Sequence, residues 1–224
     1  MRVLVVTATS SEADALRRIP GIRISSDGFI YGNYDITMII TGVGSVATSW
    51  AMAKWLTVNP KPDLVINVGI AGSYREEIKI GEVVIPISDC FADAGIENGT
   101  GFMTLEEAGL EDPDRFPYRG GKILANNKFI DQAVKRLRPV KAITVNTASG
   151  LTATIEKLKK KYSPDIETME GAAFFYICSG EKLPFLALRS ISNIVEPRNR
   201  EKWEIPIAIE NLSEKFLEIL LSLE

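Results

Sequence analysis

The chain contains no histidine among its 224 residues. This absence excludes Ser-His-Asp and Cys-His catalytic sites and every metal site that depends on imidazole ligands. The two cysteines, Cys90 and Cys178, are too few for a disulfide framework or a thiolate zinc site, which favours a reducing compartment. Any chemistry must therefore come from carboxylates, amides, hydroxyls and the backbone, and we expect neither a metal nor a cofactor.

The chain also lacks a basic excess, because 26 lysines and arginines stand against 29 aspartates and glutamates. A protein that binds nucleic acid or a membrane surface needs a basic face, so we expect neither partner. The longest apolar runs, such as Ala172–Cys178 and Leu183–Leu188, are far shorter than the roughly 20 residues that span a bilayer. The apolar stretch Val3–Ala8 could belong to a signal peptide, but Ser10–Asp14 turns polar at once, which predicts a cytoplasmic location.

Strands and helices alternate along the chain. Continuous apolar or β-branched runs predict strands at Val3–Ala8, Asp63–Val68, Glu82–Ile87, 142–146 and Pro184–Ile191. Apolar spacing predicts helices at about 13–19, 44–58, 128–138, 152–162 and 168–179, and a closing helix. Turn dipeptides between residues 22 and 40 indicate antiparallel strands. The pattern predicts a single α/β domain over residues 1–224, with a mixed, mostly parallel sheet between helices.

Residues 91–121 interrupt this alternation. They are rich in glycine, aspartate, glutamate and proline, and they show little periodicity. In a compact domain, so long an irregular stretch is usually a lid, a binding loop or a subunit contact, and we expect one of these roles.

Polar residues follow the buried strands at the edge of the sheet where α/β folds bind ligands. They are Glu12, the glycine-rich segments Gly42–Ser45 and Gly69–Ser73, the segment Met169–Gly171, and Ser192-Asn193. Most have a structural alternative, since a first-turn glutamate complements the helix dipole, and the glycine-rich segments and Ser192-Asn193 are common in tight turns. The hydroxyls of Ser10 and Ser11 are the expected caps of the first helix.

Glu170 stands apart from this group. It lies near the start of a helix that is apolar almost all round, close to Phe174, Phe175 and Ile177. A buried carboxylate without partners would be costly there, which favours a functional role.

Five short motifs occur in the order seen in nucleoside phosphorylases and nucleosidases. They are Ala8-x-x-x-Glu12, Thr41-Gly-Val-Gly44, Asn67-Val-Gly-Ile-Ala-Gly72, Met169-Glu170-Gly-Ala-Ala173 and Arg189-Ser-Ile-Ser-Asn193. Each is weak alone, but five in register over essentially the whole chain are specific. The chain therefore resembles this family, most closely its methylthioadenosine/S-adenosylhomocysteine nucleosidase branch. The resemblance implies a three-layer α/β/α fold with a twisted, mostly parallel mixed central sheet.

The resemblance also implies roles for individual residues. Glu12 matches the carboxylate that positions and deprotonates the attacking water, and Glu170 matches the one that accepts hydrogen bonds from the ribose 2′- and 3′-hydroxyls. A carboxylate suits both roles, since it can act as general base without histidine and can stabilise an oxocarbenium-like sugar. The substrate-binding residues implied by the motifs are Gly44, Ile70, Gly72, Met169 (beside the sugar) and Ser192.

Two residues differ from the phosphate-binding residues of the family's phosphorylases. Asn67 and Ile70 stand where the most similar phosphorylases have an arginine and a serine that bind phosphate. A dianion without such donors would be poorly held, so water is the expected nucleophile. The alternative is that a loop brings the nearby Arg75 to a phosphate.

Asn193 departs from the adenine-cleaving nucleosidases, which have an aspartate at this position. Its carbonyl can accept from a protonated purine N7 while its NH₂ donates to a 6-oxo group, whereas a 6-amino group would set donor against donor. This predicts hypoxanthine or guanine as the leaving base. With Phe174-Phe-Tyr176 and the segment from Asn193 to Arg198, the chain resembles the futalosine hydrolases, whose substrate has a carboxylate-bearing arm at the ribose 5′ end. Arg198 is a candidate for binding that arm, with a plain surface position as the alternative.

Three other functions stay open: an adenine-releasing nucleosidase, a 6-oxopurine nucleoside phosphorylase, and a nucleoside-binding protein with a dead site. Retention of both Glu12 and Glu170 speaks against the last. Members of the family commonly form dimers or larger assemblies. We therefore expect a homo-oligomer that binds a small nucleoside, with residues 91–121 as a candidate subunit contact.

Overall fold

The structure, a computed structural model, describes residues 1–97, 99 and 101–223. Its strands are β1 (Arg2–Thr7), β2 (Arg23–Ile24), β3 (Gly28–Tyr31), β4 (Tyr34–Ile40), β5 (Leu64–Ser73), β6 (Val83–Asp89), β7 (Gly95–Glu97), β8 (Phe102–Thr104), β9 (Tyr118–Arg119), β10 (Lys122–Leu124), β11 (Arg138–Thr144), β12 (Ile166–Thr168) and β13 (Phe185–Ile194). Its α-helices are α1 (Ser10–Leu16), α2 (Ser45–Val58), α3 (Lys128–Ala133), α4 (Thr152–Tyr162), α5 (Gly171–Gly180) and α6 (Ile205–Leu221). A 3₁₀ turn at Arg200–Lys202 precedes α6.

A mixed sheet runs through the molecule in the order β2-β3-β4-β1-β5-β12-β11-β6-β10-β9. The last long strand, β13, pairs with β5 in parallel and with β6 in antiparallel orientation. As a result β5, β12, β11, β6 and β13 form a closed ring within the sheet. The predicted α/β fold with a mixed central sheet is confirmed, as are the antiparallel strands between residues 22 and 40.

The central strands are buried on both faces, as their unbroken apolar sequences predict. Residues 3–7 of β1 and 64–69 of β5 are buried at every position. Helix α2 packs against α5 and helix α1 against α6, and these helices cover the sheet. The ring encloses a smaller apolar cluster made of Ala71, Ile78, Val84, Val140, Ala142, Ile166 and Ile191.

Some predicted boundaries differ from the structure. Helix α3 ends at Ala133 rather than near residue 138, and β11 begins at Arg138 rather than at 142. The stretch 91–121 is less irregular than predicted, because β7 pairs with β8 and β9 pairs with β10. Residues 98 and 100 of this stretch lie outside the described residues.

Within the described residues, none of the helices combines the length and the apolar character that crossing a membrane requires.

Candidate active site

A cavity of about 370 Å³ lies at the carboxyl ends of β1, β5, β12 and β13. Most of the predicted site residues line it, namely Glu12, Ile70, Gly72, Met169, Glu170, Ser192 and Asn193. The remaining lining residues are Ala8, Thr9, Ser11, Val43, Ala71, Ala148, Ser149, Glu167, Thr168, Val195, Trp203, Ile205 and Ile209. Two other depressions are larger, about 760 and about 810 Å³, but they contain none of the predicted site residues. The fold therefore gathers residues from distant motifs at one place.

Glu12 is held by the turn that starts helix α1. Thr9, rather than the predicted Ser10 or Ser11, is the N-cap residue, and its hydroxyl accepts a hydrogen bond from the backbone N–H of Glu12. In return, Oε2 of Glu12 accepts from the backbone N–H groups of Ala8 (3.1 Å) and Thr9 (2.9 Å) and from the Thr9 hydroxyl (2.9 Å). This reciprocal capping box fixes the position of the carboxylate. Glu12 therefore caps the helix and lines the cavity at the same time.

The other oxygen of Glu12, Oε1, lies against β5. It accepts a longer bond from the backbone N–H of Ile70 (3.3 Å), which leaves it capacity for a second donor. Gly69 makes room for this oxygen, since a Cβ atom there would lie 3.1 Å from Oε1. Glu12 is only 5 % exposed, and burial raises the pKa of its carboxyl group, whereas hydrogen bonds from Thr9 and the charge of Arg189 act to lower it.

Glu170 is the N-cap residue of α5. Its Oε1 accepts a hydrogen bond from the backbone N–H of Gly44 at 2.8 Å, and the Ser45 hydroxyl donates to the carbonyl of Met169 (3.3 Å). Gly44 has a φ of 98°, a conformation that favours glycine, and this lets the turn before α2 aim its N–H at the carboxylate. Gly44 does not line the cavity itself, so its contact in this structure is with Glu170.

Arg189 of β13 is a fully buried cation to which the motifs assigned no role. Its guanidinium donates to the backbone carbonyl of Asn67 (3.2 Å) and to the side-chain oxygen of the same residue. Burial lowers the pKa of Arg189, while the negative charges of Glu170, Glu12 and Asp89 favour its ionised form. A charged residue inside a predicted buried strand is the sequence signal that could have identified it, because arginine is almost never fully buried without partners.

The positions associated with phosphate are engaged within the protein. The Asn67 side chain donates to the carbonyl of Val6 (2.8 Å) in addition to accepting from Arg189. Arg75 forms an ion pair with Asp165, with Nε and Oδ1 at 3.0 Å, and it does not line the cavity. Among the described residues that line the cavity there is no lysine or arginine. The structure therefore shows no cation on the cavity wall that could hold a phosphate dianion.

Asp89, a second group missed by the sequence analysis, lies beneath the start of α5. Its Oδ1 accepts from the backbone N–H of Cys90 (2.8 Å) and from the hydroxyl of Thr144 (3.0 Å), and that hydroxyl accepts from the N–H of Ala172 (2.7 Å). A Cβ atom on Gly171 would lie 2.1 Å from Oδ2 of Asp89, so this position requires glycine. Complete burial raises the pKa of Asp89 to about 7. These contacts fix the first turn of α5 and with it the backbone next to Glu170.

A β-bulge presents Asn193 to the cavity. The pairing of β13 with β5 shifts by one residue at Ser192, so that Asn193 lies opposite Gly72. The Ser192 hydroxyl donates to Oδ1 of Asn193 (2.9 Å), and Nδ2 of Asn193 donates to the carbonyl of Ile194 (3.0 Å). Ser192 and Asn193 therefore belong to a strand and not to a routine turn, and neighbouring groups orient the amide.

Glu167 of β12 is a further carboxylate on the cavity wall. It is 7 % exposed, and its Oε1 accepts from the backbone N–H of Ser149 (2.8 Å). Its Oε2 accepts from the hydroxyls of Ser149 (2.6 Å) and Tyr74 (2.7 Å). Burial raises the pKa of Tyr74, so its hydroxyl remains a donor at neutral pH. The sequence holds no signal for this cluster, because its members come from three separate segments.

Arg198 does not line the cavity. It is exposed, and its guanidinium carbon lies 5.3 Å from the ring centroid of Trp203, which does line the cavity. Its role in binding a substrate carboxylate stays a prediction. The described residues of the stretch 91–121 do not line the cavity either.

Comparisons with known proteins point to one family over nearly the whole chain. The model of the phosphorylase superfamily matches residues 2–223. The futalosine hydrolase of Streptomyces coelicolor is 28 % identical, and the alignment covers 96 % of this chain and 93 % of that protein. The 5′-methylthioadenosine/S-adenosylhomocysteine nucleosidase of Buchnera aphidicola subsp. Schizaphis graminum is 27 % identical, with 92 % and 86 % covered.

A solved structure shows the same fold. The futalosine hydrolase of Helicobacter pylori strain 26695 superimposes with a TM-score of 0.81 at 17 % identity, covering 100 % of this chain and 98 % of that one. At this identity the superposition supports the architecture and not the substrate. Because the family model spans all but the terminal residues, the chain belongs to the phosphorylase superfamily.

Proposed function

We propose that this protein is a nucleosidase that hydrolyses the N-glycosidic bond of a 6-oxopurine nucleoside. The proposed substrate is futalosine, and the products are hypoxanthine and dehypoxanthine futalosine. The observation that carries the proposal is the presence of Glu12, Glu170 and Asn193 in one cavity. Similarity to proteins named futalosine hydrolase supports the choice of substrate. The reaction belongs to the futalosine route to menaquinone, and we propose a cytoplasmic location.

In the proposed reaction a water molecule attacks C1′ of the ribose while the bond from C1′ to the purine N9 breaks. Glu12 accepts a proton from this water through Oε1, the oxygen with spare capacity. Glu170 binds the ribose 2′- and 3′-hydroxyls, and its charge stabilises the oxocarbenium-like sugar. The electron pair of the broken bond stays on the base, which takes up a proton from solvent water at N7, and Asn193 accepts a hydrogen bond from that position. The proton held by Glu12 returns to solvent when the products leave.

The proposal is tested by incubating the purified protein with futalosine, inosine and methylthioadenosine in phosphate-free buffer. We expect hypoxanthine and a free sugar product from futalosine, because the described cavity wall has no lysine or arginine to hold phosphate. Chromatography identifies the base and the sugar. Strict phosphate dependence with a sugar 1-phosphate product would indicate a 6-oxopurine nucleoside phosphorylase. Release of adenine alone would indicate a methylthioadenosine/S-adenosylhomocysteine nucleosidase, and no turnover would indicate a nucleoside-binding protein.

Asn193→Asp tests how the base is chosen. The substitution keeps an acceptor for the Ser192 hydroxyl but removes the NH₂ group that would donate to a 6-oxo oxygen. We expect kcat/KM for the 6-oxopurine substrate to fall by roughly ten- to a hundredfold, the effect of losing one hydrogen bond of ~1–3 kcal/mol. The ratio of kcat/KM values should shift toward the 6-aminopurine nucleoside with the same 5′ group. An unchanged ratio would show that Asn193 does not read the 6-position.

We also propose that the protein is a homo-oligomer. Helix α2 exposes Val46 (82 %) and Trp50 (70 %), which lie one turn apart on the same face. Exposed apolar groups that cluster in this way mark interaction surfaces. Val43, just before this helix, lines the cavity, so a second copy on this face would lie beside the substrate. A molar mass of a single chain in light scattering would contradict this proposal.

A further inference from the structure

We infer that Glu167 is a specificity-determining residue that binds the N1–H group of a 6-oxopurine base and disfavours 6-aminopurines. The inference rests on the proposed function and adds to it a residue that the sequence motifs do not contain. Two side chains would then select the base. Asn193 contacts N7 and the 6-position, and Glu167 contacts N1.

The strand pairing places these two side chains on either side of Gly72. Glu167 of β12 lies opposite Gly72 in antiparallel register, and Asn193 of β13 lies opposite the same glycine in parallel register. Residues directly opposite each other project to the same face of a sheet, and all three line the cavity. Since adjacent strands are roughly 4.8 Å apart, the backbones of Glu167 and Asn193 are about two strand spacings apart.

Gly72 leaves the space between them open. A Cβ atom at this position would lie 2.8 Å from Cγ2 of Val195 and 3.2 Å from Nδ2 of Asn193. The glycine therefore keeps the floor of the cavity flat between the carboxylate and the amide. A planar base lying over this glycine presents its edge to both side chains.

Hydrogen bonds from neighbouring donors hold the carboxylate of Glu167 in place. It accepts three of them, from the N–H and the hydroxyl of Ser149 and from the hydroxyl of Tyr74. Oε1 takes only the backbone N–H of Ser149 among the described contacts, and a carboxylate oxygen can accept a second hydrogen bond. Glu167 thus offers the cavity an oriented hydrogen-bond acceptor.

An acceptor of this kind distinguishes the two classes of purine at N1. Hypoxanthine and guanine carry a hydrogen on N1, which can donate to Glu167 in a charge-assisted bond. Adenine has a lone pair at N1, so the carboxylate would face a second acceptor, and a buried acceptor without a donor is costly. Glu167 therefore contributes both an attraction for one class and a penalty for the other.

Asn193 alone is a weaker discriminator than the pair. An amide can present either its oxygen or its NH₂ group after a half-turn about its terminal bond, and the two ends are similar in size. The carbonyl of Ile194, which only accepts, favours the orientation with Nδ2 toward it. A carboxylate has no such alternative, because both of its ends are acceptors.

The test compares Glu167→Gln with the wild type on futalosine and on its 6-amino counterpart with the same sugar and 5′ arm. The amide is isosteric, and its oxygen at the Oε2 position can still accept from the hydroxyls of Ser149 and Tyr74. Its NH₂ group, at the Oε1 position, suits adenine N1 but no longer accepts from the backbone N–H of Ser149, a loss common to both substrates. We expect kcat/KM for the 6-oxopurine substrate to fall by roughly ten- to a hundredfold. The kcat/KM value for the 6-amino substrate should stay unchanged or rise. The ratio of the two kcat/KM values therefore shifts in favour of the 6-amino substrate.

Tyr74→Phe is the matched control. It removes one donor to Glu167 but keeps the carboxylate, so a change in activity should affect both substrates in proportion and leave their ratio unchanged. Melting temperatures of both variants show whether either change disturbs the fold. The inference is overturned if Glu167→Gln lowers activity on both substrates equally or leaves both as they were.

Binding of the free bases separates this inference from the proposed function. Calorimetry with hypoxanthine and adenine needs no turnover, and we expect the wild type to prefer hypoxanthine and Glu167→Gln to lose that preference. If the wild type hydrolyses no nucleoside but shows this change in base binding, the proposed function fails and the role of Glu167 stands. If it releases hypoxanthine but Glu167→Gln keeps the wild-type preference, the function stands and the inference fails.

Discussion

Glu12→Gln should lower kcat for nucleoside hydrolysis by at least ~10², a typical magnitude for the loss of a general base. The glutamine carbonyl can replace Oε2, which accepts from the backbone N–H groups of Ala8 and Thr9. Glutamine is compatible with this position of a capping box, so the turn and the fold should survive. The NH₂ group then replaces Oε1 and cannot accept a proton from water. Steady-state kinetics and a melting temperature together measure the two effects.

The pH dependence gives a second readout for Glu12. Burial raises the pKa of this carboxyl group above its ordinary value of 4.5, and only the ionised form can accept a proton. Activity is therefore present above the raised pKa and is lost as the pH falls through it. We expect the acidic limb of the wild-type kcat/KM profile at a pH above 4.5, and Glu12→Gln should remove that limb from its residual activity.

The chain contains a matched control for this substitution. Thr104 and Glu107 form a second reciprocal capping arrangement, in which the glutamate accepts from the threonine N–H and the threonine hydroxyl accepts from the glutamate N–H. It lies outside the cavity lining. Glu107→Gln should therefore leave kcat unchanged. Near-normal turnover of Glu12→Gln would remove Glu12 from the mechanism.

Glu170→Gln should also lower kcat by at least ~10², for an electrostatic reason. Its Oε1 accepts from the N–H of Gly44, and the glutamine carbonyl can keep that bond. The substitution removes the negative charge that the proposed mechanism places beside the sugar, and it replaces one proposed acceptor for the ribose hydroxyls with a donor. It also removes the negative charge that contributes most to keeping Arg189 ionised. The melting temperature must therefore be measured together with the kinetics.

A substrate without the 2′-hydroxyl distinguishes the role of Glu170 from a general loss of structure. If this carboxylate binds that hydroxyl, its removal should slow the wild type more than it slows Glu170→Gln, because the variant has already lost the interaction. Glu181→Gln, at the other end of α5 and paired with Lys61 at the surface, is the control that should retain full activity. Equal sensitivity of wild type and Glu170→Gln to the missing hydroxyl would refute the assignment.

Hydrophobic periodicity was sufficient to predict the fold, because it reports directly which faces of a segment are buried. The ends of strands and helices were predicted less well where the preference of a single residue conflicts with the structure that its neighbours in space impose. Strand β11 contains Pro139, and proline normally argues against the interior of a strand. The structure tolerates it next to an irregularity between Val140 and Lys141 in the pairing with β6. The sequence predicts Ser10 or Ser11 as the cap of α1, yet Thr9 precedes the helix in extended conformation and takes that role.

The sequence by itself determined that this chain forms a mixed α/β sheet and that Glu12, Glu170 and Asn193 are candidates, because each stands in a motif next to a strand or a buried helix. Only the tertiary structure decided how these groups are held. The bond between Gly44 and Glu170 joins residues 126 positions apart, and the one between Glu12 and Ile70 joins residues 58 positions apart. Such contacts depend on the pairing of strands, which local periodicity does not specify. A one-residue shift in register turns a side chain to the opposite face of a sheet, and the shift at Ser192 is what sets Asn193 opposite Gly72, across from Glu167.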